Sequence, residues 1–253
     1  MVDSGGSRGN TCNMQGYHQE PQNPERSVRY GGGTQLHTGV QQFMAGVYAW
    51  MSAGLLVTAA VVFGLSRDVN TLMMLFNTPL YYVILFGPLI MAWVLPAKIP
   101  SMDRGVAVAL FLVYAGLIGA AISPIPLIYS GASILGALGG TIGLFAGMAV
   151  IGFVTKRDLT GVGQFLVMAL LGAVIASLIN ALFLHSGGMS YVISIIVAIV
   201  SAGLTAYYNQ MLKQLYMMHG SQGNLAINGA LALYINFINL FLSLLRLFGS
   251  SRD

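Results

Sequence analysis

Seven long runs of apolar residues, separated by short polar punctuation, dominate the chain. They fall near Met44 to Leu65, Leu80 to Ala97, Gly105 to Ser123, Leu127 to Val154, Gly163 to Leu184, Tyr191 to Leu212 and Leu225 to Phe248. Crossing roughly 30 Å of hydrocarbon takes about 20 apolar residues in a helix, and each run meets that length or comes close to it. The runs are too long for barrel strands, and lipid offers backbone groups no water to bond, so helices are the structure they predict. The fourth run exceeds one crossing. It is expected to tilt, or to begin with an irregular turn after Pro124 and Pro126. Aromatic residues near the run ends, among them Tyr48, Trp50, Tyr81, Tyr82, Trp93, Tyr129 and Tyr191, fit interfacial belts.

Composition agrees with this pattern: of 253 residues 56% are hydrophobic and 7% are charged, with a mean hydropathy of +0.76. A soluble domain carries about 25% charged residues, so this chain cannot make a water-facing surface. The expectation is an all-α, polytopic membrane protein of seven transmembrane helices whose surroundings are the lipid bilayer. Residues 1–42 are read as a disordered cytoplasmic tail, 43–249 as the membrane domain and 250–253 as a short end. The first 35 residues contain no Leu, Ile or Phe that could build a core.

The net charge of +4 does not point to nucleic acid, because the basic residues lie singly or in pairs between apolar runs. Counted in alternate loops, Arg8, Arg26, Arg29, Lys98, Arg104, Lys156, Arg157 and Lys213 share one side, and Arg67, Arg246 and Arg252 the other. The positive-inside rule then places the N-terminus in the cytoplasm and the C-terminus on the periplasmic or external side. Cys12 is the single cysteine, so no intramolecular disulfide or cysteine metal cluster is expected.

All seven carboxylates lie outside the apolar runs, in the tail, the loops or the C-terminus. A proton relay or a calcium site usually needs such groups within the membrane, and none is built in. Enzyme chemistry is not expected either. His185 and His219 sit at span ends, where no intramembrane serine nucleophile could use them, and Gly31 to Gly33 have no strand or helix predicted around them to form a phosphate cradle. No cofactor or metal site is predicted.

The seventh run carries the most informative pattern. Gly229, Ala232, Asn236, Asn239, Ser243 and Arg246 recur at intervals of three and four, which places them on one helical face. Such a face turns away from lipid, so this helix is expected at the bundle centre. Asn236, Asn239 and Ser243 are either interhelical hydrogen-bond glue or the lining or plug of a permeation path. Arg246 is either a snorkelling end residue or part of a gate. Asn180, Tyr208 and Asn209 are the further intramembrane polar candidates. In the fourth run Gly139, Gly143 and Gly147 make consecutive GxxxG steps, read as a close helix contact within the chain or as a homodimer seam.

The stretches FMAGVYAWMSAGLLVTA from Phe43, TKRDLTGVGQFLVMALLGAVIASLIN from Thr155, GLTAYYNQMLK from Gly203 and GALALYINFINLFLSLLRLFG from Gly229 resemble the Bax inhibitor one family, in a bacterial inner-membrane form, over about Leu36 to Gly249. The resemblance implies a seven-helix fold with the last helix in the middle, and a calcium or cation leak gated by a proton-sharing pair of aspartates. The family positions of those aspartates fall on Tyr208 and Asn236. Neither residue titrates near neutral pH, so a weak leak without the pH switch is the first expectation. The other is a non-transporting regulator that binds a membrane partner such as a quality-control protease complex.

Overall fold

The computed structural model describes residues 24–220 and 224–250, and these are helical apart from short connectors, with no strand among them. In chain order the elements are α1 (Pro24–Ser66), α2 (Val69–Asn77), α3 (Leu80–Lys98) continued by a 3₁₀ turn (Ile99–Ser101), α4 (Arg104–Ile122) and α5 (Ile125–Ile128). These are followed by α6 (Gly131–Val154), α7 (Thr160–Ile179) continued by a π-helical segment (Asn180–Leu184), α8 (Gly187–His219) and α9 (Leu225–Phe248). Seven helices among the described residues are long and apolar enough to cross a membrane, as the run pattern predicts. The chain's described residues divide into two compact units, one ending at Thr38 and the other beginning at Gly39.

The sequence boundaries need three corrections. Helix α1 begins at Pro24, so the segment read as a disordered tail through residue 42 is helical from there, while residues 1–23 lie outside the described residues. Proline is tolerated as the first residue of a helix because the N–H it lacks has no partner there anyway. The fourth span starts at Gly131 rather than Leu127, after the irregular turn expected at the prolines: Pro124 and Pro126 close off α4 and leave the one-turn α5, and Ser130 then caps α6 by accepting from the Ser133 N–H at 3.2 Å. The sixth span extends to His219, where Gly220, at φ 66°, ends it in a conformation open to glycine.

Helix α9 is the most buried span. Over its most apolar stretch 56% is buried, against 11% in α7. It packs on α3, α4, α6 and α8. Tyr234, with no exposed surface, meets Phe111 and Tyr114 edge-on, each with ring centroids 5.8 Å away. Its hydroxyl lies 2.6 Å from Thr58 Oγ1, and the carbonyls of Gly54 and Ala115, each 3.0 Å from Thr58 Oγ1, are both placed to accept or share the single Thr58 hydroxyl hydrogen, which leaves Tyr234 to donate to Thr58. One buried hydroxyl pair therefore joins α1, α4 and α9 without leaving a polar group bare in the core.

Close backbone approach occurs at glycines outside the GxxxG steps. A Cβ on Gly152 would fall within 3.0 Å of the Ala206 backbone, and one on Gly163 within 3.0 Å of the Tyr207 ring, so these two positions seat α6 and α7 on α8. Gly139, Gly143 and Gly147 are exposed, and a Cβ on any of them would meet nothing within 4 Å. The close contact within the chain expected of those three is therefore made by other glycines. The four-residue spacing puts the three on one face but does not say which neighbour, if any, that face meets.

Asp68 and Asp158 start helices at the membrane edge. Asp68 accepts from the Thr71 hydroxyl and the Asn70 N–H, and Asp158 from the Thr160 hydroxyl and N–H; these bonds hold both carboxyls below their ordinary value of 3.8. A lowered carboxyl contributes stability above its ordinary value and loses it as the pH falls through the lowered one. Neither responds near neutrality.

The glycine contacts generate the first prediction. Gly152→Leu should force α6 off α8 and cost about 1–3 kcal/mol or more, lowering the melting temperature in detergent by several degrees, whereas Gly143→Leu should leave the melting temperature of the monomer unchanged. Equal losses at the two positions would contradict the helix faces described.

Candidate functional site

Two kinds of polar residue stand out in the spans: those whose groups are bonded within the protein, and those with unbonded groups that face open volume. Asn180 belongs to the first kind. Its carbonyl oxygen accepts from the Ser186 N–H at 3.1 Å, and its amide nitrogen donates to the Ser186 carbonyl at 3.1 Å and to Ser190 Oγ at 2.7 Å. It clamps the turn between α7 and α8, where His185 is held at φ 48°, outside the regular helical range. Asn209 is of the same kind: it accepts from the Tyr48 hydroxyl on α1 and donates to the Thr205 carbonyl at 2.8 Å.

Two buried amides that the sequence reading missed serve the other connectors. Gln210 donates to the carbonyls of Thr155 and Arg157, at 3.1 and 2.7 Å, and accepts from the Leu159 N–H at 2.9 Å. It thereby satisfies the α6–α7 connector from α8. Asn224 donates to the carbonyls of Ile99 and Met102, at 3.0 and 2.6 Å, joining the α3–α4 connector to the start of α9. The available signal was an amide placed beside a span end, but its partners lie more than 50 residues away.

The second kind lies along α9. A cavity of about 620 Å³ between α3, α4, α7, α8 and α9 has Tyr114, Tyr208, Asn228, Asn236 and Asn239 among its walls. A second, of about 600 Å³, reaches the C-terminal end of α9 and is bordered by Ser177, His185, Asn239, Ser243 and Arg246. Leu170, Val174 and Asn239 line both, so the two volumes meet at Asn239. All six residues of the periodic stripe, Gly229, Ala232, Asn236, Asn239, Ser243 and Arg246, border one or both of these volumes.

Asn236 is 2% exposed; its Nδ2 donates back to the Ala232 carbonyl at 3.0 Å, and its Oδ1 has no protein partner. Among the described residues none bonds the side chain of Asn239 or of Ser243, although Ser243 is only 4% exposed. These groups are available to whatever fills the cavities. Tyr208 borders the same cavity as Asn236, so the structure brings the two family aspartate positions to one volume. Among the described residues no Asp or Glu lines either cavity, and no cluster of three metal-ligating side chains occurs. A third cavity, of about 840 Å³, is walled by apolar residues such as Leu55, Leu138, Phe145 and Phe241.

The fold and these cavities define a polytopic helical membrane protein with a polar face on its last span. Residues 40–253 match the family model described as "Inhibitor of apoptosis-promoting Bax1". The chain is 40% identical to the inner membrane protein YbhL of Escherichia coli over 224 residues, which is 86% of this chain and 95% of that protein. It is 42% identical over 217 residues to an uncharacterized protein of Deinococcus radiodurans (85% and 92% of the two chains), and 36% identical over 231 residues to one of Caulobacter vibrioides (86% and 92%). The chain belongs to the Bax inhibitor one family.

The division of the polar groups sets a second prediction. Asn180→Ala should strip partners from a buried turn and cost about 1–3 kcal/mol, read as a lower melting temperature in detergent. Asn239→Ala, which breaks no protein hydrogen bond, should shift it by less than about 0.5 kcal/mol.

Proposed function

We propose that the protein is a weak cation leak of the inner membrane, with calcium among the ions it passes, and that α9 is its central plug. The observation that carries this reading is the meeting of two cavities at Asn239 along the polar face of α9. Amide and hydroxyl oxygens can replace part of an ion's water shell, and the unpaired Asn236 Oδ1 is such an oxygen, buried at a cost that an ion or a water molecule would relieve. With the N-terminus in the cytoplasm, as the basic residues favour, Arg246 stands at the opposite surface. The inner membrane follows from likeness to the Escherichia coli protein named for that membrane.

In this reading the leak has no pH switch. Tyr208 and Asn236 occupy the positions of the paired acids, and both stay neutral near neutral pH. A carboxylate pair sharing a proton would change charge with pH; an amide and a phenol would not. The absence of carboxylates from both cavity linings also favours a second reading, a regulator that transports nothing and acts by binding a membrane partner such as a protease complex.

Flux into liposomes separates the two. Reconstituted protein should pass calcium or a monovalent cation above background, with little change between about pH 6 and 8, and Asn239→Leu should reduce that flux while the melting temperature holds. Tyr208→Asp combined with Asn236→Asp should introduce a pH response. No flux from well-folded protein, together with a membrane protein that co-purifies at fixed stoichiometry, would replace the leak with the regulator. Compartment reporters fused to the two ends should give opposite sides; the same side would contradict the orientation.

A further inference from the structure

The cavity at the C-terminal end of α9 presents charge of one sign. Arg246 and His185 border it, and among the described residues no carboxylate lines it. The other polar groups on its wall include donors. Ser243 has a hydroxyl with no protein partner and is 96% buried by its 4% exposure, and Ser177 and the Asn239 amide are likewise unbonded within the described residues. Gly187, the first residue of the 33-residue helix α8, also lines the volume, so the N-terminal end of that helix faces it. Of the first N–H groups of α8, that of Met189 is taken by Ser186 Oγ at 3.3 Å, while those of Gly187 and Gly188 have no intrahelical acceptor and carry the positive end of the helix.

We propose that this cavity is a binding site for a phosphate-type oxyanion, with Arg246 supplying the charge, Ser243 and Asn239 donating from α9 and the first turn of α8 donating from the facing wall. The guanidinium fork suits two oxygens of one tetrahedral anion. A bound oxyanion would also offset the charge of Arg246 for any cation that reaches this cavity past Asn239. At about 600 Å³ the volume is roomy for a halide, and Leu178, Ile193 and Leu242 give it an apolar wall. Two sources share the chemistry: free phosphate, or the phosphodiester of an anionic lipid whose chains lie along that wall.

The test is binding by the intact chain, which involves no ion flux and so stands apart from the leak reading. Inorganic phosphate is titrated by calorimetry into protein in neutral detergent, and phosphatidylglycerol is compared with phosphatidylcholine by native mass spectrometry. Saturable binding of phosphate, or retention of phosphatidylglycerol over phosphatidylcholine, is the expected result; lipid retention that phosphate does not compete identifies the lipid as the source. Arg246→Gln should weaken binding by about tenfold or more, as loss of a charged hydrogen-bond donor does. Arg246→Lys, which keeps the charge and loses the fork, should fall between the two, and it carries the test if the glutamine variant does not fold. Wild type that binds neither probe, or binding that survives either substitution unchanged, overturns the site.

Discussion

Hydrocarbon supplies no hydrogen bonds, so each backbone N–H and carbonyl that leaves a helix at the edge of the bundle needs a partner from the protein. This constraint organises the whole structure. The chain meets it with neutral amides: Gln210 at the α6–α7 connector, Asn180 at the α7–α8 turn and Asn224 between the α3–α4 connector and α9. A carboxamide both donates and accepts, so one side chain can serve two or three backbone groups without carrying a charge into a low-dielectric region. A chain with 7% charged residues has this means in place of ion pairs.

Once the connectors are satisfied, what remains stands out. The same residue type that clamps a turn at Asn180 leaves Oδ1 bare at Asn236 and the whole side chain without a protein partner at Asn239. Buried polar groups are nearly always bonded, and a structure that satisfies distant loops with such economy has no general shortage of partners. Ser201 Oγ on α8 is also unpartnered, away from both cavities, but the unbonded groups of Asn236, Asn239 and Ser243 fall on one face of α9 and border two cavities that touch. That coincidence supports the proposed reading of this face as the lining of a site, which the residue types alone could not do.

The part of this that can be read from the sequence is the part with a local period. Intervals of three and four from Gly229 to Arg246 specify a face, and that face is the wall of both cavities. The number of spans follows from the lengths of the apolar runs for the same reason. Contacts across the sequence have no such signature. Gly152 and Gly163 seat helices on α8 yet belong to no prominent glycine repeat, while Gly139, Gly143 and Gly147 form a regular repeat that faces outward. Asn180 and Asn209 look like Asn239 in a list of intramembrane amides, and only their partners, Ser186, Ser190 and Tyr48, show that they hold the fold together.

The electrostatic profile along α9 joins the cavities into one gradient. From Asn228 to Asn239 the open volume meets neutral amides and phenols, and from Asn239 onward it meets hydroxyls and then the guanidinium of Arg246. Coulomb interactions weaken with distance and with water, so Arg246 acts mainly on its own cavity, while Asn236, ten residues and about 15 Å along a helix, is set by its immediate dipoles. A proton-sharing acid pair at Tyr208 and Asn236 would have put a switchable negative charge in the inner cavity. With neutral residues there, the guanidinium of Arg246 is the leading fixed charge among the described residues that line the two cavities, and an anion held beside it would change the field at Asn239 more than at Asn236.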